Sequence, residues 1–203
     1  MAQSRILLVG LGNVPLPNTR HNVGMMVLDA IAKSLNLTWS QNRSWKSDMA
    51  ETNIQVQSKN EFHEYKLTLL KPRKLMNISG SCIAQAVKDL SLPLRNVYVF
   101  HDDMQRGLGK VNFNRVRIGI GRPPADIDNR SNDVVAQFVL SKFTQAEIAT
   151  LEETVYPMWT QNNGLELLCH QGQLFKLPKV KNKKKKAALS TSDIEDNTIQ
   201  QAA

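Results

Sequence analysis

The run Ile6-Leu7-Leu8-Val9-Gly10-Leu11-Gly12 constrains this chain most. It is apolar without alternation and closed by glycines, so it reads as a strand buried on both faces. Such a strand needs layers of other elements above and below it. Residues 13–22 then form a loop with two prolines that ends Thr19-Arg20-His21-Asn22. Beyond it, Val23, Met26, Val27, Ala30, Ile31 and Leu35 fall on one side of a helix over 23–35. This strand–loop–helix unit has its loop at the carboxyl end of the strand, where α/β sheets bind ligands.

The rest of the chain continues the alternation. Residues 49–57 and 63–70 read as two strands of a hairpin, with the polar Ser58-Lys59-Asn60-Glu61 between them. A helix over 81–90 follows, with Ser79 or Ser81 as its cap. Val97-Tyr98-Val99-Phe100 is another buried strand and delivers His101-Asp102-Asp103 at its end. Residues 115–121 read as a strand, and 134–140 and 145–168 as helices broken or kinked at Pro157. The expected fold is α/β, a single domain over residues 1–178 with a central mixed, mostly parallel twisted sheet flanked by helices. Residues 179–203 lack apolar periodicity and read as a lysine-rich, disordered tail.

Charge and cysteine usage narrow the class. The chain carries 26 Lys and Arg against 18 Asp and Glu, a net +8. Six lysines lie between Lys179 and Lys186, yet residues 1–178 alone hold 20 basic and 15 acidic groups, a net +5. A basic domain points to a phosphate-bearing partner, although a charge run is more often a solvated face. No apolar run is long enough for a membrane span, and the N-terminus lacks a signal-peptide plan, so a cytoplasmic protein is expected, with the mitochondrion as the alternative. A monomer is the default expectation. Cys82 and Cys169 stand in apolar, helix-like contexts without Cys or His at ligand spacing, so they read as reduced, buried thiols, with no metal site.

Three strand ends offer polar side chains: Asn13 with Arg20-His21-Asn22, Met76-Asn77, and His101-Asp102-Asp103. Brought together, a histidine, an aspartate and two asparagines suffice for hydrolysis without a metal. The histidine serves as general base, the aspartate fixes its tautomer, and the amides hold a substrate or an oxyanion. Plainer readings stand beside this one. His21 could cap the helix, Asp102 and Asp103 could be turn carboxylates, and Asn77 could be a turn or cap residue. Gly10-Leu11-Gly12 is half of a dinucleotide fingerprint, and no Gly-x-Ser-x-Gly elbow exists.

Taken together, the motifs carry a resemblance. Val9-Gly-Leu-Gly-Asn13, Thr19-Arg-His-Asn-Val-Gly24, Leu70-Lys-Pro-Arg-Lys-Leu-Met-Asn-Ile-Ser-Gly80, His101-Asp102-Asp103 and Arg117-Ile-Gly-Ile-Gly-Arg-Pro123 resemble the bacterial-type peptidyl-tRNA hydrolases, in the family's order. The Arg-Lys-Leu-Met-Asn form and the lysine-rich end are more similar to animal members. The resemblance implies an esterase that frees peptide from tRNA without a cofactor. It implies His21 as the base and Asp102 as its partner, with Asn13, Leu75, Met76 and Asn77 around the peptide. Lys110, Arg115 and Arg117 are candidates for tRNA phosphates.

Two departures qualify it. The family's Asn-Pro-Gly and a later Tyr are replaced by Asn13-Val14-Pro15-Leu16-Pro17-Asn18, so that tyrosine's binding role has no carrier. A glycine-rich segment with His-Asn-Gly, and the helix after it, is absent between Val111 and Asn112, and with it an active-site asparagine. Two adjacent parallel strands need a crossover of about a dozen residues, and an antiparallel pair would allow a hairpin but lacks Asn-Gly or similar turn chemistry here, so the join reads as a weak point. The expectations are exposed apolar sheet, lower stability and an opened crevice. A tRNA-binding protein with impaired catalysis is the alternative function.

Overall fold

The computed structural model describes residues 4–58, 61–112, 116–127, 131–161 and 163–171. The glycine-closed run forms β1 (Ser4–Gly10), followed by α1 (Val23–Ser34), β2 (Ser40–Asn42), β3 (Ser47–Ser58) and β4 (Glu61–Pro72). Then come α2 (Gly80–Asp89), β5 (Val97–Asp103), β6 (Val111–Asn112) and β7 (Val116–Gly119). The chain continues through α3 (Asn132–Leu140), α4 (Gln145–Thr154), α5 (Tyr156–Thr160) and α6 (Gly164–Gln171). The seven strands make one sheet in the order β2-β3-β4-β1-β5-β7-β6. β4, β1, β5 and β7 are parallel neighbours, and only β3 and β6 run against the rest. The mixed, mostly parallel sheet expected from the sequence is the one found.

β1 lies inside the sheet and is covered on both faces, as its unbroken apolar run requires. On one face Ile6 and Leu8 pack with Phe100, Val116 and Ile118 beneath Val27, Leu28 and Ile31 of α1. On the other, Leu7, Val9 and Leu70 pack with Trp45 and with Ala86 of α2. The glycines set how closely α1 approaches. A Cβ on Gly10 would stand 2.6 Å from the carbonyl oxygen of Gly24, and one on Gly24 would overlap the carbonyl of Phe100. That approach seats the start of α1 on the carboxyl ends of β1 and β5.

Several readings need adjustment. The hairpin strands run further than the alternation showed, in register from Ser47↔Pro72 to Ser58↔Glu61. Ser79 is the residue before α2, yet its side chain makes no cap bond. Its backbone is already helical, so its hydroxyl turns back and donates to the Met76 carbonyl at 2.8 Å. The Ser81 hydroxyl accepts from Lys74 Nζ instead, at 3.0 Å. Pro157 opens α5, where a missing N–H costs nothing. β2 and β6 are too short to show any period.

The join after β5 also differs from expectation. The chain leaves Asp103, loops back, and pairs as β6 antiparallel to β7, with Val111↔Ile118 and Asn112↔Arg117. β7 itself runs parallel to β5, from Phe100↔Val116 to Asp103↔Gly119. Residues 104–112 hold no helix, and positions 113–115 lie outside the described residues. The expected apolar exposure does not follow from this register. Val116 and Ile118 face α1 and are fully buried, while the opposite face of β7 presents Arg117, level with His101.

Cys82 and Cys169 are buried free thiols. Burial, with the charge of Glu166, pushes the Cys169 thiol up to about 12, which makes it a poor nucleophile. Among the described residues no helix is long and apolar enough to cross a membrane. The lysine-rich stretch and the boundary near residue 178 lie outside the described residues.

Candidate active site

β1, β4 and β5 are parallel neighbours, so the three polar strand ends read from the sequence emerge along one edge of the sheet. His21 occupies a 3-10 turn, Arg20–Asn22, between β1 and α1. Its Nδ1 lies 3.0 Å from Oδ2 of Asp102, at the end of β5. The aspartate side chain is 9% exposed and the histidine 26%, so the carboxylate is sheltered while the imidazole meets solvent. The contact joins residues 81 positions apart in the chain. His21 is therefore not spent on capping the helix.

The residues on either side of His21 are locked. Asn22 is buried, and its Oδ1 accepts from the Asn13 N–H at 2.7 Å. Its Nδ2 donates to the carbonyls of Asn13 and Leu16, both at 3.0 Å. Arg20, also buried, donates from one amino nitrogen, Nη2, to both oxygens of the Glu147 carboxylate, at 2.8 and 2.7 Å. It also reaches the Ser141 hydroxyl at 2.6 Å and the Lys142 carbonyl at 2.7 Å. Its guanidinium lies over the rings of Phe138 and Phe143, 4.6 and 5.3 Å from their centroids. Burial works against the charge of Glu147. Hydrogen bonds from the Thr144 backbone, Arg20 and the Thr144 hydroxyl outweigh it and hold the carboxyl below its ordinary value. Sequence reasoning gave neither lock. Asn22 stands just before α1, and its side chain makes no cap bond there.

Asn13 turns its side chain across the crevice. Its Oδ1 accepts from the Met76 N–H at 2.8 Å, which ties the first loop to the 3-10 turn Met76–Ile78. That bond leaves the Asn13 Nδ2 to donate outward. Leu75 and Asn77 flank Met76 and are exposed. Asn77 is in a turn, as its plainer reading had it, and the Met76 bond to Asn13 ties that turn to the first loop.

Asp102 and Asp103 have different fates because successive side chains of a strand point to opposite faces. Asp103 is the turn carboxylate. Its Oδ1 accepts from the Gln105 N–H at 2.9 Å. Its Oδ2 takes Arg106 Nε at 3.0 Å, and one Arg117 amino group lies 3.8 Å away. Arg106 was not singled out in the sequence, since nothing local announces an arginine that pairs back to the strand. Lys110 is exposed on the same loop, and Arg115 lies outside the described residues. His101 bonds the Asp102 carbonyl through Nδ1 at 2.8 Å and stands apart from the His21 pair.

With Asp102 holding a proton on Nδ1, the Nε2 of His21 presents a lone pair to the crevice. A water there would meet a base. The arrangement fits hydrolysis of an activated acyl group.

Known proteins share this sequence pattern and this fold. The family model described as peptidyl-tRNA hydrolase matches residues 7–114 and 105–188, two segments that overlap around the join after β5. A peptidyl-tRNA hydrolase of Rickettsia bellii (strain OSU 85-389) is 29% identical over 175 residues, covering 74% of this chain and 87% of that protein. One from Thermoanaerobacter sp. (strain X514) is 34% identical over 175 residues, covering 73% and 86%. The solved structure of peptidyl-tRNA hydrolase from Acinetobacter baumannii superposes with a TM-score of 0.63 at 22% identity, over 87% of this chain and 98% of that one, which speaks for the fold. With its His21–Asp102 pair, its Asn13–Met76 tie and this span of matching sequence, the chain belongs to the peptidyl-tRNA hydrolase family.

Proposed function

We propose that this protein hydrolyses the ester that joins a peptide, or an N-blocked aminoacyl group, to tRNA, releasing free peptide and reusable tRNA. The observation that carries the reading is the 3.0 Å contact between His21 Nδ1 and the sheltered Asp102 carboxylate. His21 takes a proton from water at Nε2, and the water oxygen adds to the ester carbonyl. Asp102 stabilises the imidazolium that forms. Asn13 Nδ2 and the Asn77 amide donate to the peptide or to the oxyanion, and Leu75 and Met76 pack beside the acyl chain. As the tetrahedral species collapses, the bond to the ribose oxygen breaks and His21 returns the proton to that leaving oxygen. An ester is labile enough for positioning, one base and a few donors to suffice.

The basic groups Lys110 and Arg117 contact tRNA phosphates on the β6–β7 side of the crevice, and Arg115, outside the described residues, is a further phosphate contact. On this reading the protein is a cytoplasmic monomer. The test is peptide release from labelled N-acetylaminoacyl-tRNA by the protein and by His21→Ala. The expected loss in the variant is roughly 10²- to 10⁴-fold, with tRNA binding retained. A folded wild-type protein that binds tRNA and releases nothing would leave binding as its activity.

A further inference from the structure

A second group of cations stands at the same edge of the sheet, on the side away from Arg117. The turn between β2 and β3 reads Arg43-Ser44-Trp45-Lys46. Trp45 is buried, and its indole N–H donates to the Asp89 carboxylate at 2.9 Å, which pins the turn against α2. The Trp45 N–H also donates to the Asn42 side chain at 3.0 Å. With the ring turned inward, Arg43 and Lys46 on either side are exposed. The Arg73 N–H donates to the Lys46 carbonyl at 2.9 Å, so the turn is tied to the end of β4. Arg73 and Lys74 therefore join Arg43 and Lys46 and lead directly into Leu75, Met76 and Asn77.

Four cations here face two carboxylates. Asp89 is taken by the indole and by Gln85, and Asp48 lies 3.2 Å from Arg73 in a pair that is open to solvent. Exposed pairs of this kind are weak, so they leave the guanidinium available to a phosphate. β4 and β7 are three strand spacings apart, roughly 14 Å at about 4.8 Å per strand. The His21–Asp102 pair and Asn13 lie between the two basic groups. Backbone of an RNA whose 3′ end enters the crevice would therefore meet positive charge on both sides.

We infer that Arg43, Lys46, Arg73 and Lys74 form a second phosphate-binding flank for the tRNA part of the substrate. The inference rests on the proposed hydrolase reading, with Arg117 and Lys110 as the first flank. Two double variants test it from separate segments, Arg73→Gln/Lys74→Gln and Arg43→Gln/Lys46→Gln. A charge-matched control, Lys33→Gln/Arg95→Gln, removes two cations at the opposite edge of the sheet. Affinity is read as anisotropy of labelled N-acetylaminoacyl-tRNA across a salt series, and peptide release is measured separately. Each flank variant should weaken binding roughly fivefold or more at low salt and lower the slope of log affinity against log salt by about 1 to 2. Release at saturating substrate should stay near wild type. Affinities and slopes equal to wild type, or equal losses in the control, would overturn the second flank. A wild-type protein that binds but releases nothing overturns the hydrolase reading instead, and the binding data still decide this one.

Discussion

Asp102 and Asp103 are adjacent in the chain and serve two differently built regions. Asp102 is sheltered and has one partner, His21 at 3.0 Å, whose turn is locked through Arg20 and Asn22. Asp103 shares one oxygen between Arg106 at 3.0 Å and Arg117 at 3.8 Å, and those side chains are 34% and 41% exposed. The first region is preorganised, as proton transfer at a fixed position demands. The second has a carboxylate as sheltered, at 10% exposed, but it opens to solvent through its arginines, which suits contacts with a mobile phosphate backbone. Strand alternation produces the difference, because it sends one carboxylate towards α1 and the next to the opposite face.

Changes to the first region should therefore lower turnover, and changes to the second should lower affinity. The largest effect after loss of His21 itself is expected from Asp102→Asn. Turnover should fall roughly 10²-fold or more with KM little changed, because the amide favours the wrong tautomer. Steady-state rates on N-acetylaminoacyl-tRNA check this, and an unchanged turnover number would sink the assigned role. Next is Arg20→Lys, which keeps the charge but has one nitrogen in place of two, so it cannot hold Glu147 together with the Ser141 hydroxyl and the Lys142 carbonyl. A displaced His21 turn should cost about tenfold or more in turnover, with a lower melting temperature, since breaking a buried pair is costly. Melting curves beside kinetics separate the two losses.

A smaller effect is expected from Arg106→Gln/Arg117→Gln. KM should rise severalfold and its salt dependence weaken by about 1 to 2 in log–log slope, while turnover at saturation stays within about twofold. A fall in turnover at constant KM would erase the distinction between the regions. The smallest effect concerns acid. The Glu147 carboxyl is held below its ordinary value of 4.5, so its stabilisation is complete above that pH and is lost as pH falls through the lowered value. Glu147→Gln should make the melting temperature less dependent on pH in that acid range, as scanning calorimetry would show.

Much of this was legible before any coordinates. The unbroken apolar run of β1 and the helical spacing over 23–35 depend on near neighbours, and both elements appear where the sequence put them. The strand ends carrying Asn13, Met76 and Asp102 were equally visible, because a strand that stops at polar residues declares its own end. β6 was not visible, since two residues hold no period, and it is what lets the shortened join reach β7. The missing helix was read as a hole in the fold. Register turned it into an edge strand and put Arg117, rather than an apolar side chain, on the uncovered face.

The sequence by itself determined the α/β class, the family and the set of polar side chains at the strand ends. Those are encoded in short motifs and in periods of a few residues. Only the tertiary structure decided that Asp102 and not Asp103 meets His21, that Asn22 grips Asn13, and that Arg20 reaches Glu147 across 127 positions. Those pairings depend on strand order, on register and on how closely Gly10 and Gly24 let α1 approach, and local sequence carries no term for any of them.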